Sequence, residues 1–156
     1  MRIRFLFVGK SDEKEYARGV ERYVARIGRF APCDVTVVRE EKPGEKPDAG
    51  HVRAKEGERL LAALAPRDLL VLADERGRER TSEEFTRDLR SWLDASPSAV
   101  AFAVGGAFGL DPVLRPRARA ILSLSRMTLP HQLARMVLAE QVYRATAALS
   151  GVAYAK

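Results

Sequence analysis

The chain has 156 residues, 46% of them hydrophobic and 31% charged. It is long enough for one compact core, too short for two ordinary domains, and too apolar for a disordered chain. Its 27 Lys and Arg against 21 Asp and Glu give a net charge of +6, which suits a polyanionic partner without establishing one. A single cysteine, Cys33, and two histidines, His51 and His131, provide no disulfide framework and no metal cluster of familiar spacing. The opening MRIRFLFVGK is too short in its apolar part for a secretion signal, and no run reaches the roughly 20 apolar residues of a membrane span. A cytoplasmic protein with one domain over residues 1–156 is therefore expected.

Ile3 to Val8, rich in aromatic and β-branched residues, predicts a buried strand ending at Gly9. Asp12 and Glu15 stand at capping-box spacing ahead of a helix whose Tyr16, Val20, Tyr23, Val24 and Ile27 share one face. Val35 to Val38 predicts a second strand, and EEKPGEKPDAG after it a mobile loop. His51 to Leu64 predicts a helix with Leu60, Leu61 and Leu64 inward, and DLLVLAD a buried strand closed by the turn DERGRER. Thr81 and Glu84 form a capping box for a helix with Phe85, Leu89, Trp92 and Leu93 inward, closed by Ser96-Pro97.

SAVAFAV lacks polar alternation, as a strand covered on both faces should, and runs into GGAFG and a helix start at Asp111-Pro112. ILSLS predicts a fifth strand, and the last helix spans Pro130 to Leu149. Strands alternating with helices imply an α/β fold with a mainly parallel sheet flanked by helices, because parallel neighbours need crossovers. Ligands of such sheets sit beyond the carboxyl ends of the strands, here marked by Leu72-Ala73-Asp74, Gly105-Gly106 and Leu124-Ser125.

GGAFG allows close backbone approach by a ligand, or is simply a tight turn; it has neither the Rossmann glycine order nor a P-loop lysine. Arg76, Arg78 and Arg80 suit phosphates or a solvated loop. His131, in the first turn of the last helix, is placed to cap, bind or exchange a proton, or to hold a structural hydrogen bond. Glu140 and Arg144 have the spacing of a helix-surface ion pair. Leu133, Met136, Val137 and Tyr143 call for burial on one side of that helix, and Leu138, Val142, Ala145 and Leu149 on another, so a partner subunit is expected to provide the second cover.

Taken together, FLFVGK, KEGERLL, LADERG, VGGAFGL and LSLSRMTLPHQLARMVLAEQVYRA resemble the ribosomal RNA large-subunit methyltransferase H family, a small branch of the SPOUT class, over essentially the whole chain. The resemblance implies a C-terminal trefoil knot, an exception to the usual connection rules, and a homodimer. It implies S-adenosylmethionine as cofactor, no metal, and methylation at N3 of a pseudouridine in 23S ribosomal RNA of the large subunit within the ribosome. Carried across, the donor pocket falls on Leu72, Gly105, Gly106 and Leu124, Ser125, Arg126, Met127, Thr128 and Leu129.

A base or anion-stabilising group is needed at the nitrogen; His131 is a candidate, and Arg144 is one for phosphate or developing charge. The family tail usually reads G-H-P-Y-H plus a basic residue, whereas this chain ends Gly151-Val152-Ala153-Tyr154-Ala155-Lys156, leaving Tyr154 and Lys156 as tail candidates. The loss of both histidines makes a catalytically impaired ribosome-binding relative that keeps the cofactor pocket the first alternative. A nucleotide- or flavin-binding module without an RNA partner is the second.

Overall fold

A computed structural model describes residues 1–153. Five strands, β1 (Ile3–Val8), β2 (Cys33–Val38), β3 (Leu69–Glu79), β4 (Val100–Val104) and β5 (Ala118–Ser123), form one sheet in the order β2-β1-β4-β3-β5. All four pairings are parallel. Four helices, α1 (Lys14–Ile27), α2 (Ala49–Ala63), α3 (Ser82–Asp94) and α4 (His131–Leu149), and a 3-10 helix (Pro112–Arg117) connect and cover it. This is the α/β sandwich that the alternation of elements implies.

The period of two along each strand divides the core into two layers. Phe5 and Phe7 of β1 pack with Phe102 and Val104 of β4 against Val20 and Ile27 of α1, Phe85, Leu89 and Trp92 of α3, and Leu138 and Val142 of α4. Leu6 and Val8 point the other way, with Leu70, Leu72, Ala101 and Ala103, onto Leu60 of α2 and Leu114 of the 3-10 helix. Every residue of β4 is buried, as its unbroken apolar run requires.

Several local expectations change. Asp12 and Glu15 form no capping box: α1 starts at Lys14 and its N-cap Glu13 makes no side-chain cap. The Glu13 N–H instead donates to Gln132 Oε1 (3.3 Å), which also accepts from Ser11 Oγ (2.6 Å), so a buried amide on α4 takes the place of a local cap. The Thr81–Glu84 box does form, with bonds of 3.1 and 2.8 Å. α2 starts before His51, where Asp48 accepts from the N–H groups of Gly50 and His51.

DERGRER is not a turn. β3 continues through a bulge after Ala73 and pairs Arg78 with Leu122 and Glu79 with Ser123. Gly77 permits this, because a Cβ there would lie 2.6 Å from the Ile121 carbonyl oxygen. β5 correspondingly begins at Ala118 and ends at Ser123, leaving Leu124 and Ser125 in the loop to α4.

Much of the apolar surface of α4 is covered within the chain, Leu133 and Val137 lying outside the core and only half-buried. Leu138, Val142 and Ala145 belong to the sheet-facing core, while Tyr143 stacks near Tyr23 and Phe30. Leu138 has no exposed surface and is therefore not on an outer face. None of the described helices is long and apolar enough to cross a membrane.

Candidate functional site

The carboxyl ends of β3, β4 and β5 open into a cavity of about 700 Å³ lined by residues 73–76, 104–110, 124–125 and 127–131, with Ala134. It lies where open parallel sheets bind ligands. The first three segments contain the strand ends that the sequence marks; the fourth is the rest of the β5–α4 loop, which with His131 and Ala134 reaches the first turn of α4.

One wall is the turn after β4. Gly109 donates its N–H to the Gly106 carbonyl (3.0 Å) and has φ +82°, a conformation open to glycine. A Cβ on Gly105 would lie 2.5 Å from the Gly109 carbonyl carbon and 2.9 Å from the Leu110 nitrogen, so backbone packs directly on backbone. The other wall is the β5–α4 loop, fixed by hydroxyls. Ser123 Oγ donates to the Ser125 carbonyl (3.0 Å), Ser125 Oγ accepts from the Met127 N–H (3.0 Å), and Thr128 Oγ1 donates to Glu75 Oε2 (2.6 Å). The last bond ties the loop to the β3 extension.

Asp74 at the rim accepts from the Arg76 backbone N–H (2.9 Å) and from its Nε and Nη2 (both 3.2 Å). Burial alone would raise its pKa, but the Arg76 bonds and charge outweigh that and hold the carboxyl below the usual range. Arg80 pairs with Asp88 at 2.6 Å. Arg76 and Arg80 are thus engaged within the chain, while Arg78 is exposed.

His131 is half-buried, opens α4 behind Pro130 and lines the cavity. Burial, then the nearby Arg135 charge, lowers its pKa against the opposing pull of Glu40, Asp12 and Glu13. The imidazole is therefore neutral at neutral pH and able to accept a proton.

Gly105, Gly106, Leu124, Ser125, Met127, Thr128, Leu129 and His131 come together around this space. Leu72 is 2% exposed and packs in the second core layer, one residue before the lining Ala73. Arg126 is exposed and outside the lining. Arg144 donates to Glu140 Oε1 (3.1 and 2.6 Å), the pair its spacing predicts, and sits roughly 20 Å from His131 by helical rise. Tyr154 and Lys156 lie outside the described residues.

Two buried charged residues beside the cavity were not singled out from the sequence. Glu56, 3% exposed, accepts the Glu41 N–H at Oε1 (3.1 Å), while Oε2 has no hydrogen-bond partner and would lie 3.0 Å from a Cβ on Gly106. Burial raises its carboxyl pKa, favouring the protonated form. Arg135 donates to the carbonyls of Val8 and Gly9 and lies 4.9 Å from the Phe7 ring, fixing the end of β1. Each interrupts an inward apolar stripe, Val52-Glu56-Leu60 and Arg135-Leu138-Val142, and that interruption is the signal that finds them.

A family model described as "Predicted SPOUT methyltransferase" matches residues 1–155. The chain belongs to the SPOUT methyltransferase family. Within it, the chain is 38% identical to a protein of Limosilactobacillus reuteri and 42% identical to one of Geotalea daltonii, both named ribosomal RNA large subunit methyltransferase H. The first match covers 100% of both chains and the second 99% of each. By fold alone, the chain resembles a probable methyltransferase from Bordetella pertussis, with TM-score 0.59, 18% identity, and coverage of 93% of this chain and 96% of that one. A probable methylase family protein from Haemophilus influenzae gives TM-score 0.58 at 12% identity, covering 99% of this chain and 70% of that one.

Proposed function

We propose that this protein transfers a methyl group from S-adenosylmethionine to N3 of a pseudouridine in 23S ribosomal RNA, acting in the cytoplasm as a homodimer on the assembled ribosome. The supporting observation is the full-length similarity to proteins named ribosomal RNA large subunit methyltransferase H, in a chain with a large cavity at its strand ends. The net charge of +6 agrees with an RNA partner.

The residues present suit this donor. A backbone turn without side chains at Gly105 and Gly106, a hydroxyl-fixed loop over residues 124–129 and apolar walls are apt for a nucleoside with a charged tail. Leu72, Gly105, Gly106 and residues 124–129 are the proposed donor contacts, with Leu72 at the base of the wall and Arg126 outside it. When bound, the donor would supply a sulfonium methyl group, whose carbon bonds to the ring nitrogen as its bond to sulfur breaks, the electron pair staying on sulfur in a neutral thioether.

His131 is the proposed base that takes the N3 proton, and the carboxylates of Glu40, Asp12 and Glu13 favour the imidazolium that results. At its distance along α4, Arg144 suits an RNA phosphate rather than the reacting nitrogen of the same subunit's cavity. Tyr154 and Lys156 remain candidates for RNA contact from the tail. The same reading includes a trefoil knot, which rests on the family membership. For the dimer, the half-buried stripe of Leu133, Val137 and Glu140 replaces Leu138 as the proposed contact face.

Incubation with methyl-labelled donor and ribosomes lacking the modification tests the function, with label expected at N3 of a pseudouridine. Measurable donor binding without label in RNA would instead favour the impaired relative suggested by the tail without histidines. For the dimer, Val137→Glu should yield a folded monomer in sedimentation; an unchanged dimer would rule out that face.

A further inference from the structure

Phe108 has no role in the chemistry above, and its environment is unlike that of the other phenylalanines. Phe5, Phe7, Phe85 and Phe102 are buried in the core, and Phe30 lies 6.3 Å from Tyr143. Phe108 is 39% exposed and makes no ring contact among the described residues. It occupies the third position of the turn Gly106–Gly109, closed by the Gly109 N–H to Gly106 carbonyl bond. Gly105 packs closely on the backbone of Gly109 beneath that turn, and the Phe108 ring lines the cavity with apolar surface left in water.

Met127, 78% exposed, lines the same cavity from the β5–α4 loop, where its N–H is anchored on Ser125. The other large exposed apolar side chains, Met1, Val35, Val37, Val113 and Val152, do not line it. Exposed apolar groups on both walls of one polar-rimmed cavity mark a binding surface.

The reaction dictates what needs such a surface. Methyl transfer requires the acceptor nitrogen to reach the donor within one cavity, so the target base must leave its RNA stack and enter. An unstacked base recovers stacking on an aromatic face, and a flexible thioether adapts to its other surface. We propose that Phe108 is the platform on which the acceptor pyrimidine stacks, with Met127 as the apolar counterpart on the other wall. This inference rests on the methyltransferase reading and adds to it the residues that receive the substrate base.

The test compares wild type with Phe108→Ala, Phe108→Leu and Phe108→Tyr, measuring S-adenosylmethionine affinity by calorimetry and methyl transfer to unmodified ribosomes. The Ala variant should lose roughly 5- to 150-fold in kcat/KM for ribosomes, the range for one lost base–aromatic stack, with donor Kd unchanged. Leu, which keeps apolar bulk without a π face, should stay impaired, whereas Tyr should retain most activity. Leu matching wild type, or a loss confined to donor affinity, would overturn the proposal; the latter would assign the ring to the donor's adenine. Wild type that binds donor yet labels no RNA would defeat the methyltransferase reading itself, an outcome distinct from either.

Discussion

The two walls of the cavity are held by opposite means. The turn after β4 is fixed by the absence of atoms: at Gly105, backbone meets backbone where any side chain would collide. The β5–α4 loop is fixed by the presence of atoms, through the hydroxyls of Ser123, Ser125 and Thr128. One wall therefore breaks by addition and the other by deletion, and the second also carries the titratable group, His131, where it enters α4.

The largest effect is expected at that entry point. His131→Ala should lower kcat by about 10²- to 10⁴-fold, the range for a lost general base, while leaving donor affinity near wild type. The pH profile carries the sign of the shift. A histidine with lowered pKa stays unprotonated, and so competent as a base, below the ordinary value of about 6.5. Wild-type kcat should therefore hold through that pH and fall only under more acidic conditions, and the acid limb should disappear in the variant. A rate already halved above pH ~6.5 would remove His131 from this role.

On the glycine wall, Gly105→Ala inserts a methyl group into backbone and should weaken donor binding by about 5- to 150-fold, equivalent to the ~1–3 kcal/mol of an overpacked site. Calorimetry checks this, and unchanged affinity would show that the turn can give way. On the hydroxyl wall, Thr128→Val removes one bond to Glu75 and should weaken donor binding by only about 2- to 10-fold, in line with ~0.5–1.5 kcal/mol for a hydrogen bond. A Thr128→Val effect equal to or larger than that of Gly105→Ala would reverse the contrast between the walls.

Much of this was readable in the sequence because local pattern and tertiary structure agree. The uninterrupted apolar run of β4, the Thr81–Glu84 box and the Asp111-Pro112 helix start all keep their predicted roles. Where they diverge, a distant group has replaced a local one. Gln132 caps α1 in place of Asp12, and pairing with Leu122 and Ser123 of β5 draws the polar DERGRE segment into a strand that its composition argues against. Leu138 and its neighbours look like a partner's contact in the sequence because a sequence does not reveal that α1, α3 and the sheet surround α4. Glu56 and Arg135 were overlooked for a related reason: a charge within an apolar stripe reads as a flaw in the helix until the strand end beside it is known.

The central claim is that the strand-end cavity holds the methyl donor. Ultraviolet crosslinking of methyl-labelled S-adenosylmethionine to the protein, followed by peptide mapping, tests this most directly. Label should appear in peptides containing residues 105–109 or 124–131 and be competed away by unlabelled donor. Competed label found only elsewhere, for example beside Arg67 and Ser96 at the opposite end of the sheet, would contradict the claim.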